Sequence, residues 1–254
     1  MSAATADLLW RARQSHAKIL RDFDGYPTTE AKAYVIQAAM IASCGLDVVG
    51  WKIGATVAAQ QPVLGVEAPF IGPLFADFVH DNGAEIAVAP GHGLETEFTI
   101  RLTADLPHQA APYAPADIVA AIGAVVPSFE IIGFRFEGEP VGAGLRLIAD
   151  GGANVGAVFA DDVTNFDADA LAGHAVTLTV NGNQVAAGTP SDLVWDHLFD
   201  AIGWLATQPP MAGRGLKAGD RIMTGTMTGM VPLSPGDVAE ADFGAMGKVV
   251  TRFV

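Results

Sequence analysis

The chain has 254 residues, half of them hydrophobic and 17% charged, which suits one large domain with a sizeable core and excludes a disordered chain. Its formal net charge of −14 argues against nucleic acid or an anionic membrane as a partner. Cys44 is the single cysteine, which excludes an intrachain disulfide and a cysteine-based zinc site. Neither a signal peptide nor an apolar segment of membrane-spanning length is recognisable, so we expect a cytoplasmic protein.

The first fifty residues carry two helical patterns. Apolar residues recur at helical spacing from about Ala4 to Arg21, and the Gly25-Tyr26-Pro27 segment ends that helix. Thr28 or Thr29 can then cap a second helix that stops near Gly45. We therefore predict a helical pair at the N-terminus.

A short buried strand with one lysine follows, at residues 48–54. Lys52 lies among Val, Trp and Ile, so it either reaches the surface or meets a buried carboxylate. A buried lysine has a lowered pKa and serves readily as an acid or base. Residues 55–75 predict a long apolar loop, and Asp77 behind it is either a turn cap or a site residue.

Two glutamates share one face of the next predicted strand, residues 92–102. Residues two apart on a strand point to the same side, so Glu95 and Glu97 are neighbours. Two carboxylates this close repel each other unless a cation, a proton or a basic group lies between them. Mg²⁺ and Mn²⁺ prefer such oxygen ligands, although an exposed pair without a metal is commoner.

A third acid lies in an apolar strand. A helix from Pro115 to about Ala124 precedes a strand over residues 125–136, with Glu130 in its middle. A carboxylate in that setting needs a partner or a raised pKa. Three such acids together with Lys52 make a site more probable than the glutamate pair alone does.

The remaining chain predicts β-structure with one helix. A glycine-rich turn at residues 149–156 lacks the spacing of a dinucleotide-binding loop. Asn181-Gly182 favours a tight hairpin turn, and an alternating strand closes the chain at residues 248–254. Ser191-Asp192 can cap a helix that reaches Leu205 and carries His197.

The order of these motifs resembles the 2-keto-4-pentenoate hydratase branch of the fumarylacetoacetate hydrolase superfamily, which includes the 4-oxalocrotonate decarboxylases. The likeness covers nearly the whole chain and rests on these segments: Gly50-Trp51-Lys52-Ile53-Gly54, Phe75-Ala76-Asp77, Glu95-Thr96-Glu97, Asp105-Leu106-Pro107, Pro127-Ser128-Phe129-Glu130-Ile131-Ile132 and Gly219-Asp220-Arg221-Ile222-Met223-Thr224-Gly225-Thr226.

The resemblance implies an α+β fold with a mixed β-roll or sandwich core and a helical N-terminal extension. On this basis we divide the chain into the extension, residues 1–46, and a catalytic β-roll domain, residues 47–254. The resemblance also implies one Mg²⁺ or Mn²⁺ ion held by Glu95, Glu97 and Glu130. Lys52 matches the family's active-site lysine and Asp77 its acid partner. Members form homo-oligomers.

The implied activity is the metal-dependent addition of water to a 2-hydroxy-2,4-dienoate, giving a 4-hydroxy-2-oxo acid in the meta-cleavage catabolism of aromatic compounds. Lys52 and Asp77 are the expected proton-transfer groups. Weaker candidates for binding the small 2-oxo acid substrate are Arg135, Asp150, Thr224 and Thr226. Where these hydratases usually carry Asp-Asn-Ala-Ser, this chain has Gly151-Gly152-Ala153-Asn154, so either Asp150 takes the place of the acid with a one-residue slip or the acid is lost.

Three alternatives stay open from the sequence. A 4-oxalocrotonate-type decarboxylase shares the metal site and the lysine. A carbon–carbon hydrolase of the acylpyruvate type usually has a lid with a His-Glu pair, which this chain lacks. A non-catalytic partner subunit has no need of clustered acids, so retention of the three glutamates and Lys52 argues against it.

Overall fold

A computed structural model describes residues 2–20, 23 and 25–254, and in these residues helices surround two β-sheets. The α-helices are α1 (Ser2–Ser15), α2 (Glu30–Cys44), α3 (Gln60–Leu64), α4 (Pro115–Ala121), α5 (Gly144–Ala149) and α6 (Asp200–Thr207). The strands are β1 (Val48–Gly54), β2 (Phe70–Phe75), β3 (Val79–Asp81), β4 (Glu85–Ile86), β5 (His92–Leu102), β6 (Ile122–Gly133), β7 (Asn154–Phe159), β8 (Val176–Val180), β9 (Asn183–Gly188), β10 (Arg221–Met223), β11 (Val231–Pro232), β12 (Val238–Asp242) and β13 (Lys248–Phe253).

The larger sheet has the strand order β2-β1-β10-β5-β6-β7-β3, with β11 paired to the start of β5. It curls until β2 packs against β7. A Cβ atom on Gly72 would lie 2.2 Å from the carbonyl oxygen of Gly151, so only glycine permits this approach. The sheet thus closes into a roll, and the predicted α+β fold with a β-roll core is confirmed.

The smaller sheet, β4-β13-β12-β8-β9, packs on one face of the roll. Alternate residues of β5 and β6, such as Phe98 and Phe129, form the core between the sheets together with Phe243 from beyond β12. The rings of Phe98 and Phe243 meet edge to face at 5.0 Å. Because strand side chains alternate, the intervening residues of β5 and β6 face the interior of the roll.

The N-terminal helices are tied to the roll by hydrogen bonds. The side-chain amide of Gln37 on α2 donates to the carbonyl oxygens of Ile71 at 2.8 Å and Ile148 at 2.6 Å. Thr29 caps α2, as predicted, by accepting the N–H of Lys32. The division of the chain at residue 46 stays a prediction.

The first helix is shorter than predicted. It ends at Ser15, and His16 then adopts a left-handed conformation with φ of 54°. Arg21, the expected last residue, lies outside the described residues.

Two further expectations are wrong. Residues 55–75 contain α3 and β2 instead of one loop. Gly72 and Pro73 are unfavourable in most strands and therefore indicated a loop, but β2 tolerates them because it lies at the edge of the sheet. The helix expected from Ser191 starts at Asp200. Asp192 instead closes a short 3-10 turn, because its carboxylate accepts the N–H of Thr189 at 3.0 Å.

No helix within the described residues is both long and apolar enough to cross a membrane.

Candidate metal centre and substrate pocket

Three carboxylates meet inside the roll because of the strand register. Glu95 on β5 lies directly opposite Glu130 on β6, and Glu97 is two residues further along the same face of β5. One oxygen from each carboxylate lies within 4.8 Å of the others. The side-chain alternation predicted from the sequence places Glu95 and Glu97 on one surface, and the register between β5 and β6 adds Glu130 to it.

Two hydrogen bonds and one ion pair orient the carboxylates of Glu97 and Glu130. Oε2 of Glu97 accepts the backbone N–H of Gly225 at 2.8 Å, and Oε1 of Glu130 accepts the side-chain amide of Asn154 at 2.9 Å. Oε2 of Glu130 is buried and accepts no hydrogen bond from any described residue. Its neighbour is the ammonium of Lys52, which forms an ion pair with it at 3.2 Å.

Burial and mutual repulsion resist ionisation of the two glutamates on β5. Burial first, and then the charge of Glu130, raise the pKa of Glu95 to about 7. The same two causes, joined by Glu95, raise the pKa of Glu97 well above its ordinary value. Without a cation, the triad therefore holds protons near neutral pH.

Lys52 is the positive group beside the triad, and Gly152 makes room for it. A Cβ atom on Gly152 would lie 2.9 Å from Cδ of Lys52. Burial alone would lower the pKa of Lys52, but the charges of Glu130, Glu95 and Glu97 outweigh burial and raise the pKa above its ordinary value. The lowered pKa expected from the sequence is thus wrong: Lys52 is an ammonium ion.

The triad can hold a divalent metal ion. Its three carboxylates carry more negative charge than one lysine balances, and they lie close enough together for one oxygen of each to bind the same ion. A hard divalent cation supplies the missing positive charge because it takes oxygen ligands and displaces the protons that the glutamates otherwise hold.

A cavity of about 320 Å³ opens beside Glu95 and Lys52. Most of its wall is apolar, and its main apolar residues are Val63, Leu64, Phe70, Ile132, Phe134, Pro140, Leu147 and Met230. Thr226 also lines it, and the buried Oγ1 atom of Thr226 has no hydrogen-bond partner among the described residues. The cavity thus combines a charged end with an apolar body, as small-molecule sites do.

The other sequence-derived candidates do not reach this cavity. Asp77 is exposed in the 3-10 turn that follows β2 and does not line the cavity. Arg135 and Asp150 form a buried ion pair at 2.6 Å outside the lining. The Thr224 hydroxyl donates to the carbonyl of Phe98 at 2.8 Å.

Two residues near the triad were missed by sequence reasoning. Asn154, which holds Glu130, lies in the glycine-rich turn and carries no motif that marks it as a hydrogen-bond donor to an acid. Phe70 lies in the segment predicted as a loop, and the Nζ atom of Lys52 lies 5.8 Å from its ring centroid. Only the pairing of β1 with β2 brings Phe70 to the site.

Residues 147–254 match the family model for the C-terminal region of fumarylacetoacetate hydrolase. The chain is 32% identical to the "TodF product hydratase" of Pseudomonas putida strain F1 and 30% identical to a 2-keto-4-pentenoate hydratase of Paraburkholderia xenovorans LB400; each alignment covers 98% of this chain and 93% of the relative. The structure of a 4-oxalocrotonate decarboxylase from Pseudomonas putida G7, complexed with magnesium and adipate, superposes with a TM-score of 0.89 at 26% identity and covers 100% of this chain and 97% of that one.

These matches span the roll, the helices and the carboxylate site. The chain belongs to the fumarylacetoacetate hydrolase family.

Proposed function

We propose that this chain is a divalent-metal-dependent hydro-lyase that adds water to a 2-hydroxy-2,4-dienoate and releases a 4-hydroxy-2-oxo acid, in the meta-cleavage catabolism of aromatic compounds. The observation that carries the proposal is the triad of Glu95, Glu97 and Glu130 with Lys52 at the charged end of an otherwise apolar cavity. Two relatives with full-length alignments bear hydratase names, which supports it.

Glu95, Glu97 and Glu130 would hold Mg²⁺ or Mn²⁺ beside the cavity. The bound ion would act as a Lewis acid toward the carboxylate and keto oxygens of a 2-oxo acid and favour its enolate form. Magnesium is the ion named for the decarboxylase structure, and calcium accompanies acetate in a second structure of that enzyme.

Lys52 is the proton donor of the proposed reaction. It is buried, it lines the cavity and the adjacent carboxylates keep it protonated. It can therefore deliver a proton to C5 of the dienol and regain one from the 2-hydroxyl group as the substrate becomes a 2-oxo-3-enoate. Thr226 has a hydroxyl without a hydrogen-bond partner among the described residues in the same cavity, which suits it to orient the substrate or the attacking water. Asp77 does not line the cavity and is not assigned a step.

The decarboxylase alternative requires a dicarboxylate substrate, and the cavity argues against one. Among the described lining residues Lys52 is the single cation, and it already faces the triad. A second carboxylate in the cavity would meet the uncharged Gln60 and Thr56 but no further cation, and an unbalanced charge there is costly. An apolar tail, by contrast, packs against Phe134 and Leu147. The cavity thus favours hydration of a monocarboxylate over decarboxylation.

Incubation of the Mg²⁺-loaded protein with two substrates tests the proposal. One is enzymatically generated 2-hydroxypenta-2,4-dienoate and the other is 2-oxohex-3-enedioate, with product analysis for a 4-hydroxy-2-oxo acid and for CO₂. We expect hydration of the first and little CO₂ from the second. Faster release of CO₂ would establish the decarboxylase instead, and full activity in EDTA-treated protein would refute the metal site. Homo-oligomer formation and a cytoplasmic location stay predictions from the sequence.

A further inference from the structure

A second cavity, of about 520 Å³, lies on the opposite face of β6 from the triad. Ile131 and Gly133 line it, whereas Glu130 and Ile132 alternate with them toward the roll interior. The end of α1 and the segment around β4 complete its wall. None of the proposed metal ligands lines it, and neither does Lys52. The proposed reaction therefore leaves this cavity without a role.

Positive charge is concentrated here in a chain that is otherwise acidic. The chain has 28 acidic residues against 14 lysines and arginines and six histidines. Its described lining residues nevertheless include Arg13, Lys18 and Arg135, the imidazoles of His16, His80 and His92, and a single carboxylate, that of Glu85. Such a distribution favours an anionic ligand.

Two of these cations have no described acid in direct contact. Arg135 pairs with Asp150, but neither Arg13 nor Lys18 has a carboxylate within ion-pair distance among the described residues. Arg13 is buried and donates to the carbonyl oxygens of Asn154 at 2.5 Å and Val155 at 3.1 Å and to Oδ1 of Asn154 at 3.3 Å, and it lies 4.6 Å from the centre of the Phe78 ring. Its Nε atom has no hydrogen-bond partner among the described residues. The acid that acts most strongly on Arg13, Asp150, is already paired with Arg135, so the buried charge of Arg13 is only partly balanced and an anion in the cavity would stabilise it.

His92 adds a neutral donor. Its Nδ1 atom accepts the backbone N–H of Ala89 at 3.2 Å, so the neutral ring carries its proton on Nε2. Burial first, and then the nearby His16 and Arg135, lower the pKa of His92 to about 4, which keeps the ring neutral. The His16 ring lies edge-on to it at 5.4 Å. Gly133 gives the His92 ring its space, because a Cβ there would lie 2.6 Å from Cδ2.

We propose that this cavity binds a small organic carboxylate. Arg13, Lys18 and the Nε2–H of His92 would hold its charged group. Apolar residues in other parts of the wall would pack against a hydrocarbon body; among them are Ala12, Phe78, Ile86, Pro90, Ile131 and Val155. A cavity of this size and lining suits an organic acid better than inorganic phosphate, which has no apolar part.

Calorimetric titration of the full chain with benzoate in EDTA tests the proposal, because EDTA removes the metal ion that could otherwise hold a carboxylate at the triad. We expect saturable binding of one benzoate per chain, and binding of inorganic phosphate at least about tenfold weaker. Lys18→Gln should weaken benzoate binding by about two- to fivefold, as expected for one partly exposed charge contact. Lys32→Gln, which removes an exposed lysine outside the cavity, is the matched control and should leave benzoate binding unchanged.

The imidazole NMR signals provide a second readout that does not depend on Lys18. Benzoate should shift those of His16 and His92 and leave that of His197, which lies outside the cavity, in place. Absence of saturable benzoate binding, equal binding of phosphate, or equal effects of the two lysine substitutions would each overturn the proposal. A parallel titration with 2-oxopentanoate identifies the source of the ligand. If 2-oxopentanoate binds as tightly as benzoate, the ligands of this cavity include the 2-oxo acids of the proposed reaction. If 2-oxopentanoate binds more weakly than benzoate, the ligand is an organic acid unrelated to that reaction.

Discussion

The side-chain amide of Asn154 donates a hydrogen bond of 2.9 Å to Oε1 of Glu130, and both residues are buried. The backbone of Asn154 is held in place as well, since Arg13 and Arg135 both donate to its carbonyl oxygen. The amide leaves Oε2 of Glu130 for Lys52 and for a cation. Asn154 thus orients a proposed metal ligand, although it lines no part of the substrate cavity.

Asn154→Ala should therefore weaken Mg²⁺ or Mn²⁺ binding by about 10- to 100-fold, the usual cost of losing a group that orients a metal ligand. The carbonyl contacts of Asn154 with the two arginines survive this change, so the fold should persist. Isothermal titration with the metal measures the effect, with Asn183→Ala on an exposed hairpin as the control. Identical metal affinity in the two variants would show that Asn154 has no orienting role.

Glu97→Gln should abolish activity and weaken metal binding by more than about tenfold, because it removes a charged ligand. It should also stabilise the metal-free protein at about pH 8, since the raised pKa of Glu97 shows that its ionised form is unfavourable in the fold. Glutamine can still accept the N–H of Gly225. Metal titration, a coupled assay and thermal melting in EDTA check the three effects.

Glu130→Gln should likewise abolish activity and weaken metal binding. Glu67→Gln, at an exposed acid away from the cavity, is the control for both variants. A folded Glu97→Gln or Glu130→Gln protein with normal metal affinity would remove that residue from the proposed triad.

The sequence predicts the pieces of this site better than their assembly. Alternation alone places Glu95 and Glu97 on one face, and the apolar surroundings of Glu130 and Lys52 mark them as buried charges. The pairing of Glu95 with Glu130 depends on a strand register that no local pattern contains. Lys52 lies three strands from Glu130 in the sheet, so their 3.2 Å contact exists only because the sheet curls.

Local signals also misled at particular residues. Gly72 and Pro73 disguised β2, and that strand carries the Gly72 contact that closes the roll. The family resemblance places Asp77 at the site, whereas in the structure Asp77 lies exposed in the turn that follows β2. The turn before Asn154 has three consecutive left-handed residues, Gly151, Gly152 and Ala153, whose combined course no single-residue preference predicts.

Lys52→Met should lower kcat by about 100-fold or more, as expected for loss of a proton donor, while KM changes little because the metal ligands remain. Metal titration should show that the triad still binds Mg²⁺. Lys217→Met, at an exposed lysine paired with Asp105, provides the matched loss of an ammonium and should leave kcat unchanged. A normal kcat in a folded Lys52→Met protein would exclude Lys52 from proton transfer.

In the metal-free protein, the contribution of Glu95 to the free energy of unfolding should fall as the pH rises from about 4.5 to about 7. Glu95 has a pKa of about 7 in the fold against an ordinary value of 4.5, so over this range the folded state binds more protons than the unfolded state. Glu95→Gln removes this pH-dependent contribution. The difference in Tm between Glu95→Gln and the native protein in EDTA should therefore grow in favour of the variant as the pH rises, and then level off.

Saturating Mg²⁺ should raise the Tm of the native protein more at about pH 8 than at about pH 5.5, because at the lower pH the metal must displace protons. Differential scanning fluorimetry across the pH series measures this rise in Tm and also the Tm difference between Glu95→Gln and the native protein. A Tm difference between variant and native protein that is constant with pH would contradict the assignment of the titrating group to Glu95.

Val63→Lys should shift the substrate preference toward dicarboxylates. Val63 lies on α3 at the rim of the apolar cavity and is half exposed, so a lysine there can keep its charge in water while facing the bound acid. We expect the ratio of kcat/KM for 2-oxohex-3-enedioate to that for 2-hydroxypenta-2,4-dienoate to rise by about two- to fivefold, the usual strength of a partly exposed charge pair. The gain should disappear at high salt. Val63→Met, with an uncharged side chain that also extends into the rim, is the control. An equal change in the kcat/KM ratio in both variants would mean that the volume of the side chain, and not its charge, decides which substrate tail this cavity accepts.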